Sequence, residues 1–247
     1  MSEGSLSAAQ QAAPLTDVVL RPVRGHHAFE ACVEQLATAI RLGLYPPGSP
    51  LPAERELAER LQVSRSTLRE AMTALRATNM IETRRGRGGG TIVTYSPVSP
   101  AKGAVPHGDR EDALDALVFR RVVEGGAAAA AARRTLTDEE RALLTDAHDA
   151  VAGATDPAVH RQADSRFHLA VATLSGSPRL VDAVTSAQSA LHEMLIQIPL
   201  LEVNREHSDR QHRTLLRAVL RGDANQARRV MEQHCDDTAA LLRGLLH

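Results

Sequence analysis

The sequence predicts a mostly α-helical protein: an N-terminal winged helix-turn-helix with a small β wing, followed by an all-α antiparallel helical bundle. Three observations carry that expectation. Leu51–Val93 reads LPAERELAERLQVSRSTLREAMTALRATNMIETRRGRGGGTIV, which is a short helix, a tight turn, a longer helix and a basic, glycine-rich hairpin. Beyond residue 111 the apolar residues recur at helical spacing, with no strand candidate of any strength. The chain has no Trp, three Phe and two Tyr, so its core must be built from Leu, Ala, Val and Ile, a composition suited to closely packed helices.

Length and charge set the outer limits. The 247 residues allow one large domain or two modest ones. A net charge of -1 hides an asymmetry: residues 21–95 hold eleven Lys/Arg against seven Asp/Glu, and residues 111–247 hold sixteen against twenty. A basic module joined to an acidic one points to a polyanionic partner for the first half only. Cys32 and Cys235, far apart, make no disulfide framework. The opening residues SEGSLSAAQQAAP have neither the basic start nor the apolar core of a signal peptide, and no apolar run is long enough to span a bilayer. The expectation is a soluble, cytoplasmic protein without a membrane partner.

Residues 1–20, small and polar, are expected to form a flexible tail, and residues 21–95 the winged domain. From about His27, Phe29, Val33, Leu36 and Ile40 follow helical spacing and predict one buried stripe, ended by Gly43 and Pro46-Pro47-Gly48. A second helix begins near Pro52, with Glu54 and Glu56 in its first turn, where carboxylates suit the helix dipole. Leu57, Ala58 and Leu61 form its inner face. Gln62-Val63 makes the turn and Ser64 is a good N-cap for the next helix, whose buried face is Leu68, Ala71, Met72 and Leu75. Asn79 can take the left-handed conformation that ends it. Ile81–Arg84 and Thr91–Thr94 then read as two short strands around Arg85-Gly86-Arg87-Gly88-Gly89-Gly90.

Residues 96–110 are rich in Pro and Gly and lack periodicity, so they read as a linker. From 111 to 247 the expectation is a helical domain that binds metal and effector and dimerises. Its helices are placed near 111–134, 137–153, 156–175, 177–198, 203–221 and 223–246. Thr135-Leu136-Thr137, Asp156-Pro157, Gly176-Ser177-Pro178, Pro199 and Gly222-Asp223 mark the breaks, and Thr137 with Glu140 forms a capping box.

In a helix-turn-helix the N-terminal residues of the second helix reach base edges in the major groove while the first helix crosses the backbone. Arg65 and Arg69, four residues apart, share one helix face, and arginine is the commonest reader of guanine. Ser66 and Thr67 can bond phosphates, Arg55 can reach the backbone or a neighbouring base, and Arg84, Arg85 and Arg87 in the wing suit the minor groove or phosphates. The alternative is an amphipathic helix pair with a solvated charged face. The segments LPAERELAE and VSRSTLREA, within residues 27–95, resemble the N-terminal domain of GntR-family bacterial transcription regulators, particularly the FadR-like branch. That resemblance implies operator contacts at Arg55, Ser64, Arg65, Ser66, Thr67 and Arg69, with Arg85 and Gly86 at the wing tip. Gln62 and Asn79 stand where the family often has glycine, and a left-handed Gln62 costs about 1–2 kcal/mol.

A second constellation lies in the helical half. Most of the eleven histidines are expected at the surface, and His148, His160, His192 and His207 have no partner at a telling spacing. Asp164 and His168, four apart in ADSRFHLAV, share a helix face. His212 and His234 lie ten residues before and twelve after Gly222. At 1.5 Å rise per residue both are roughly 15–18 Å from the turn, hence level in an antiparallel pair. One carboxylate and three imidazoles can hold a divalent metal (Zn, Ni or Mn) with positions left for a ligand; the alternative is a surface i,i+4 pair and two unrelated histidines. This spacing resembles the FCD ligand-binding domain of FadR-like regulators, which implies metal ligation by Asp164, His168, His212 and His234. FRRVVEGGAAAAAA, residues 119–132, is similar to the first long helix of that domain. There Arg120 would bind an anionic group of a small carboxylate effector, or pair structurally with Glu124. Cys235 points about 100° away from His234 and reads as a packed residue.

The reading is a ligand-responsive transcription regulator, a homodimeric repressor on an inverted-repeat DNA operator. Its rivals are a metal sensor and a metalloenzyme with an appended DNA-binding domain.

Overall fold

The computed structural model describes residues 15–16, 18–23, 28–84, 90–96, 110–196, 198 and 202–245. Two compact units, Met1–Pro97 and Val98–His247, account for the chain. No helix among the described residues is long and apolar enough to cross a membrane.

The first unit contains α1 (Ala28–Arg41), α2 (Glu54–Leu61), α3 (Arg65–Ala77), β1 (Ile81–Arg84) and β2 (Gly90–Val93). Leu57 and Leu61 of α2, and Leu68, Met72 and Leu75 of α3, are buried as their spacing requires. The α2–α3 turn depends on Gln62, which takes a left-handed φ of 52°. Ser64 then caps α3 by accepting a 3.0 Å bond from the Thr67 amide, satisfying one of the orphan donors of the first turn. Asn79, at φ 57°, ends the segment and turns the chain into β1. The strands pair antiparallel with Ile81 opposite Val93 and Arg84 opposite Gly90. The Leu51 amide donates to the Thr91 carbonyl at 2.8 Å, so the segment ahead of α2 is tied to the wing.

The buried face of α1 differs from the expected stripe. Phe29 is 37 % exposed, whereas Cys32, Leu36, Ala39 and Ile40 are fully buried. Helix α1 packs against α3, and the residues it buries include the small Cys32 and Ala39 beside Leu36 and Ile40, so bulk at Phe29 does not decide the inner face.

The second unit contains α4 (Arg110–Ala132), α5 (Asp138–Gly153), α6 (Pro157–Leu174), α7 (Pro178–Leu195), α8 (Glu202–Arg221) and α9 (Ala224–Leu245). Local chemistry sets their starts. Thr137 and Glu140 complete a capping box, Asp156 accepts from the amides of Ala158 and Val159, and Ser177 caps α7. Gly222 at φ 78° turns α8 back into α9. The alanine-rich half of α4 lets it lie close to its neighbours. A Cβ at Gly125 would come within 2.8 Å of Glu232 Cγ on α9, so any larger residue here must displace the Glu232 side chain. Helix α6 is buried on nearly every face, with thirteen of its eighteen residues enclosed. That burial makes polar residues on α6 meaningful.

Candidate nucleic-acid interface and candidate metal centre

The exposed end of α3 gathers the first expected constellation. Ser64 Oγ lies 2.7 Å from Ser66 Oγ and 2.8 Å from Thr67 Oγ1, so one hydroxyl cluster both caps the helix and faces outward. Arg65 is exposed and has no ion-pair partner among the described residues. Arg69 Nε is 2.9 Å from Glu54 Oε2 and Arg55 Nη1 is 3.0 Å from Glu59 Oε1. Arg84 pairs with Glu82 at 2.6 Å. These are exposed pairs, worth about 0–1 kcal/mol each, so a phosphate or base can replace the carboxylate at little cost. Arg85, Gly86 and Arg87 lie outside the described residues.

The second constellation comes together in the bundle. His168, His212 and His234 are buried, and each offers a nitrogen within 4.8 Å of the others. Ring centroids of His212 and His234 are 4.7 Å apart, so the register computed from the Gly222 turn is the one adopted. Asp164 flanks the triad: Oδ1 is 3.5 Å from His212 Nε2 and Oδ2 is 3.8 Å from His168 Nε2. Asp164 and His168 are therefore not a solvated surface pair.

Neighbouring groups set which nitrogens are available. Glu124 Oε2 lies 2.7 Å from His168 Nδ1 and Gln211 Oε1 lies 3.1 Å from His234 Nδ1. The Gln211 oxygen accepts from His234 Nδ1–H, which leaves the Nε2 lone pair of His234 to coordinate, whereas Glu124 sits at ion-pair distance from His168 Nδ1 without forming a hydrogen bond. Both nitrogens of His168 and both of His212 are buried without hydrogen-bond partners. Orphaned buried nitrogens are costly, and a divalent ion would satisfy them together. Burial drives the pKa of His212 down to about 3 and that of His234 well below the ordinary value, with the neighbouring histidines adding to both effects. Both rings are thus neutral at pH 7, the form that binds metal. Burial opposes ionisation of Asp164, but His168 and His212 outweigh it and hold the carboxyl below its usual range.

A cavity of about 110 Å³ opens beside this cluster, bordered by Asp164, His234, Arg120 and Arg161, with Leu191, Leu195 and Leu241 as an apolar wall. Arg120 is 1 % exposed and donates from Nε to Glu124 Oε1 at 3.1 Å. The structural ion pair considered for Arg120 and Glu124 is therefore formed. It occupies only one edge of the guanidinium, because Nη1 and Nη2 remain buried without partners.

Two family models match the sequence: "Bacterial regulatory proteins, gntR family" over residues 29–91 and "FCD domain" over residues 115–237. The HTH-type transcriptional regulator RmpR of Mycobacterium gastri is 31% identical over 235 residues, covering 90% of this chain and 82% of its own. The chain belongs to the GntR family. This GntR-family protein is also 34% identical over 204 residues to an L-lactate dehydrogenase operon regulatory protein of Escherichia coli K12, covering 76% of this chain and 75% of the relative. The solved structure of E. coli McbR/YncC shares the fold, with a TM-score of 0.56 at 18% identity, covering 90% of this chain and all of that one. The domains and relatives are those of a DNA-binding transcription regulator, not of an enzyme, which removes the metalloenzyme reading. FCD domains of GntR regulators can bind metal.

Several residues of the GntR-family site carry no sequence signal of their own. His148, His160 and His192 are buried, contrary to their expected surface placement: His160 lies on the enclosed α6, and His148 and His192 lie on the inner faces of α5 and α7. Gln188, completely buried, donates to Glu124 Oε1 at 2.6 Å from 64 residues away. Gln211, which orients His234, immediately precedes a candidate ligand, and that adjacency was its only trace. Cys235 packs as expected, with Sγ 3.6 Å from Glu124 Oε2, and burial raises its pKa.

Proposed function

We propose that this chain is a ligand-responsive regulator, a homodimeric repressor whose helical unit holds a divalent metal and a small organic acid that together adjust operator binding. The observation that carries the proposal is the half-used Arg120. A buried guanidinium with two unpartnered nitrogens lines a small cavity beside a cluster of orphaned imidazole nitrogens. A carboxylate is the group that satisfies both neighbours.

In this reading Asp164, His168, His212 and His234 hold the ion. The imidazole-rich set suits Zn or Ni, while the carboxylate keeps Mn within range. When bound, the metal supplies a Lewis-acidic anchor for one oxygen of the acid. The remaining work falls to the chain: Arg120 orients the carboxylate, Gln211 fixes the His234 tautomer, Glu124 places a negative charge beside His168, and the leucine wall excludes water. The relative named for an L-lactate dehydrogenase operon is consistent with an effector of this size and class.

At the other unit, Arg65 and Arg69 read bases from the major groove, with Arg55, Ser64, Ser66 and Thr67 on phosphates or adjacent bases and Arg85 and Gly86 at the wing tip. GntR-family regulators typically act as dimers. A second copy is the occupant proposed for the apolar stripe of α4, where Val118 and Val122 are 62 % and 63 % exposed with Phe119 beside them. Two copies would present two α3 helices to an inverted repeat, one half-site each, in the cytoplasm where the operator lies.

Metal analysis of the purified His212→Ala variant tests the centre. Its metal content should fall sharply while operator binding persists; unchanged metal content would sink the four-ligand site. A response of operator affinity to the ion alone, with no added effect of acids, would favour the metal-sensor reading.

A further inference from the structure

Three arginines border the cavity, and their charges are balanced differently. Arg120 is paired with Glu124, and Arg205 Nη2 lies 3.0 Å from Glu202 Oε1. Arg161 is only 6 % exposed and has no carboxylate within ion-pair distance among the described residues. Its single recorded bond is from Nη2 to the Ile198 carbonyl. A buried charge without a counter-charge is costly, and here burial alone displaces the pKa of the group, downward. Neither cavity carboxylate serves it. Asp164 faces the histidines, and Asp237 accepts from Gln211 Nε2 at 2.7 Å and Gln233 Nε2 at 2.8 Å, with His207 Nε2 also 2.8 Å away.

The placement of Arg161 on α6 is informative. It precedes Asp164 by three residues and His168 by seven, so it lies about 4.5 Å and about 10.5 Å of helix rise from them. Beside the anion position proposed at its Arg120 and metal-ligand end, the cavity therefore has a second cation about one to two helical turns away. Its volume of about 110 Å³ is of the same order as the roughly 150 Å³ cavity that admits benzene, which restricts the occupant to a small organic acid.

We propose that Arg161 is a second anion-reading residue and that the effector is a short dicarboxylic acid of about four carbons. One carboxylate sits against Arg120 and the metal ligands, and the other supplies the counter-charge that Arg161 lacks. This rests on the small-acid reading above and narrows it from small organic acids in general to short diacids.

The test is isothermal titration calorimetry on the full-length protein, loaded with Zn and freed of excess ion. The two probes are malate and 2-hydroxybutanoate, which share a four-carbon 2-hydroxy acid frame and differ in the second carboxylate. Malate should bind about 10- to 100-fold more tightly, the increment of a charge-assisted contact. Arg161→Met should bring malate down to the level of 2-hydroxybutanoate while leaving the monoacid affinity and the Zn content unchanged. Arg161→Lys keeps the charge without the planar fork and should retain part of the preference. If Arg161→Met loses Zn through misfolding, Arg161→Lys with native Zn content decides. Equal binding of the two acids by the unaltered protein, or full preference for malate in a Zn-loaded Arg161 variant, overturns the role of Arg161 and leaves the small-acid reading standing. Failure of the Zn-loaded protein to bind either acid overturns both.

Discussion

Replacing Glu124 by leucine should be among the most damaging single changes in the helical unit. Its carboxylate is 1 % exposed, accepts from Arg120 Nε at 3.1 Å and Gln188 Nε2 at 2.6 Å, and lies 2.7 Å from His168 Nδ1. Burial disfavours its charge, but Arg120 and His168 reverse that and hold it well below the usual carboxylate range, so it is ionised at every ordinary pH. Glu124→Leu leaves the equally buried Arg120 without an anion. Breaking a buried pair from one side costs about 3–5 kcal/mol, a large part of the roughly 5–15 kcal/mol that holds a typical domain folded. With a urea m-value of about 1–3 kcal/mol/M, the midpoint for the helical unit of the metal-free protein should drop by about 1–5 M. The double variant Arg120→Met/Glu124→Leu removes both charges and should recover most of the loss, because two apolar residues of similar volume can replace a buried pair at little net cost. Urea titration followed by far-ultraviolet circular dichroism reads all three proteins. A midpoint shift in Glu124→Leu smaller than about 0.3 M, or a double variant no more stable than the single one, would refute the reasoning. In refolded Glu124→Leu the metal affinity should also fall about 10- to 100-fold, since His168 loses the carboxylate beside its Nδ1.

Three further outcomes are expected. Gln62→Gly should stabilise the winged unit by about 1 kcal/mol, since relief of a left-handed side-chain strain of about 1–2 kcal/mol exceeds the added chain entropy of glycine; a lower urea midpoint would contradict it. Arg65→Ala should lose about 1–3 kcal/mol of discrimination between operator and scrambled duplex if it reads a guanine, and fluorescence anisotropy that weakens equally for both would make it a phosphate contact. The metal-free protein should lose stability as pH falls below about 6.5 towards 3, because buried His212 has its pKa lowered from 6.5 to about 3 and His234 moves the same way. The unfolded chain then takes up protons that the fold refuses, so stability is complete above the unfolded value and declines by at most about 1.4 kcal/mol per pH unit per histidine below it. Urea midpoints that stay constant between pH 7.5 and 5 would rule this out.

Features encoded by local chemistry were legible in the chain. Ser64, Thr137 with Glu140, Asp156 and Ser177 cap the helices they precede, because a side-chain oxygen at the helix start acts on its own neighbours. Gln62 and Asn79 take the left-handed conformations that their turns require. The meeting of His212 and His234 followed from helix rise and one turn at Gly222, which needs no knowledge of the other helices. Legibility ended where a third element decided the outcome. Spacing places Phe29 in the buried stripe of its helix with Val33, Leu36 and Ile40, but it is exposed while Cys32 and Ala39 are buried in a helix that packs against α3. Burial of His160 and Arg161 follows from α6 being enclosed on all sides, and a polar residue carries no mark of that. The bond from Gln188 to Glu124 joins α7 to α4, and no spacing rule connects two such distant positions. The wing tip at Arg85 and Gly86 falls outside the described residues, so its part in operator contact rests on the sequence.

The central claim is that a metal-held acid in the helical unit governs what Arg65 and Arg69 do at the operator. Fluorescence anisotropy of a labelled inverted-repeat operator, titrated with metal-stripped and Zn-loaded protein in the presence and absence of malate, measures it directly. The dissociation constant should rise with malate for the Zn-loaded protein and stay unchanged for the stripped one. Identical operator affinity in all four conditions, or a change produced by Zn alone and indifferent to the acid, would contradict it.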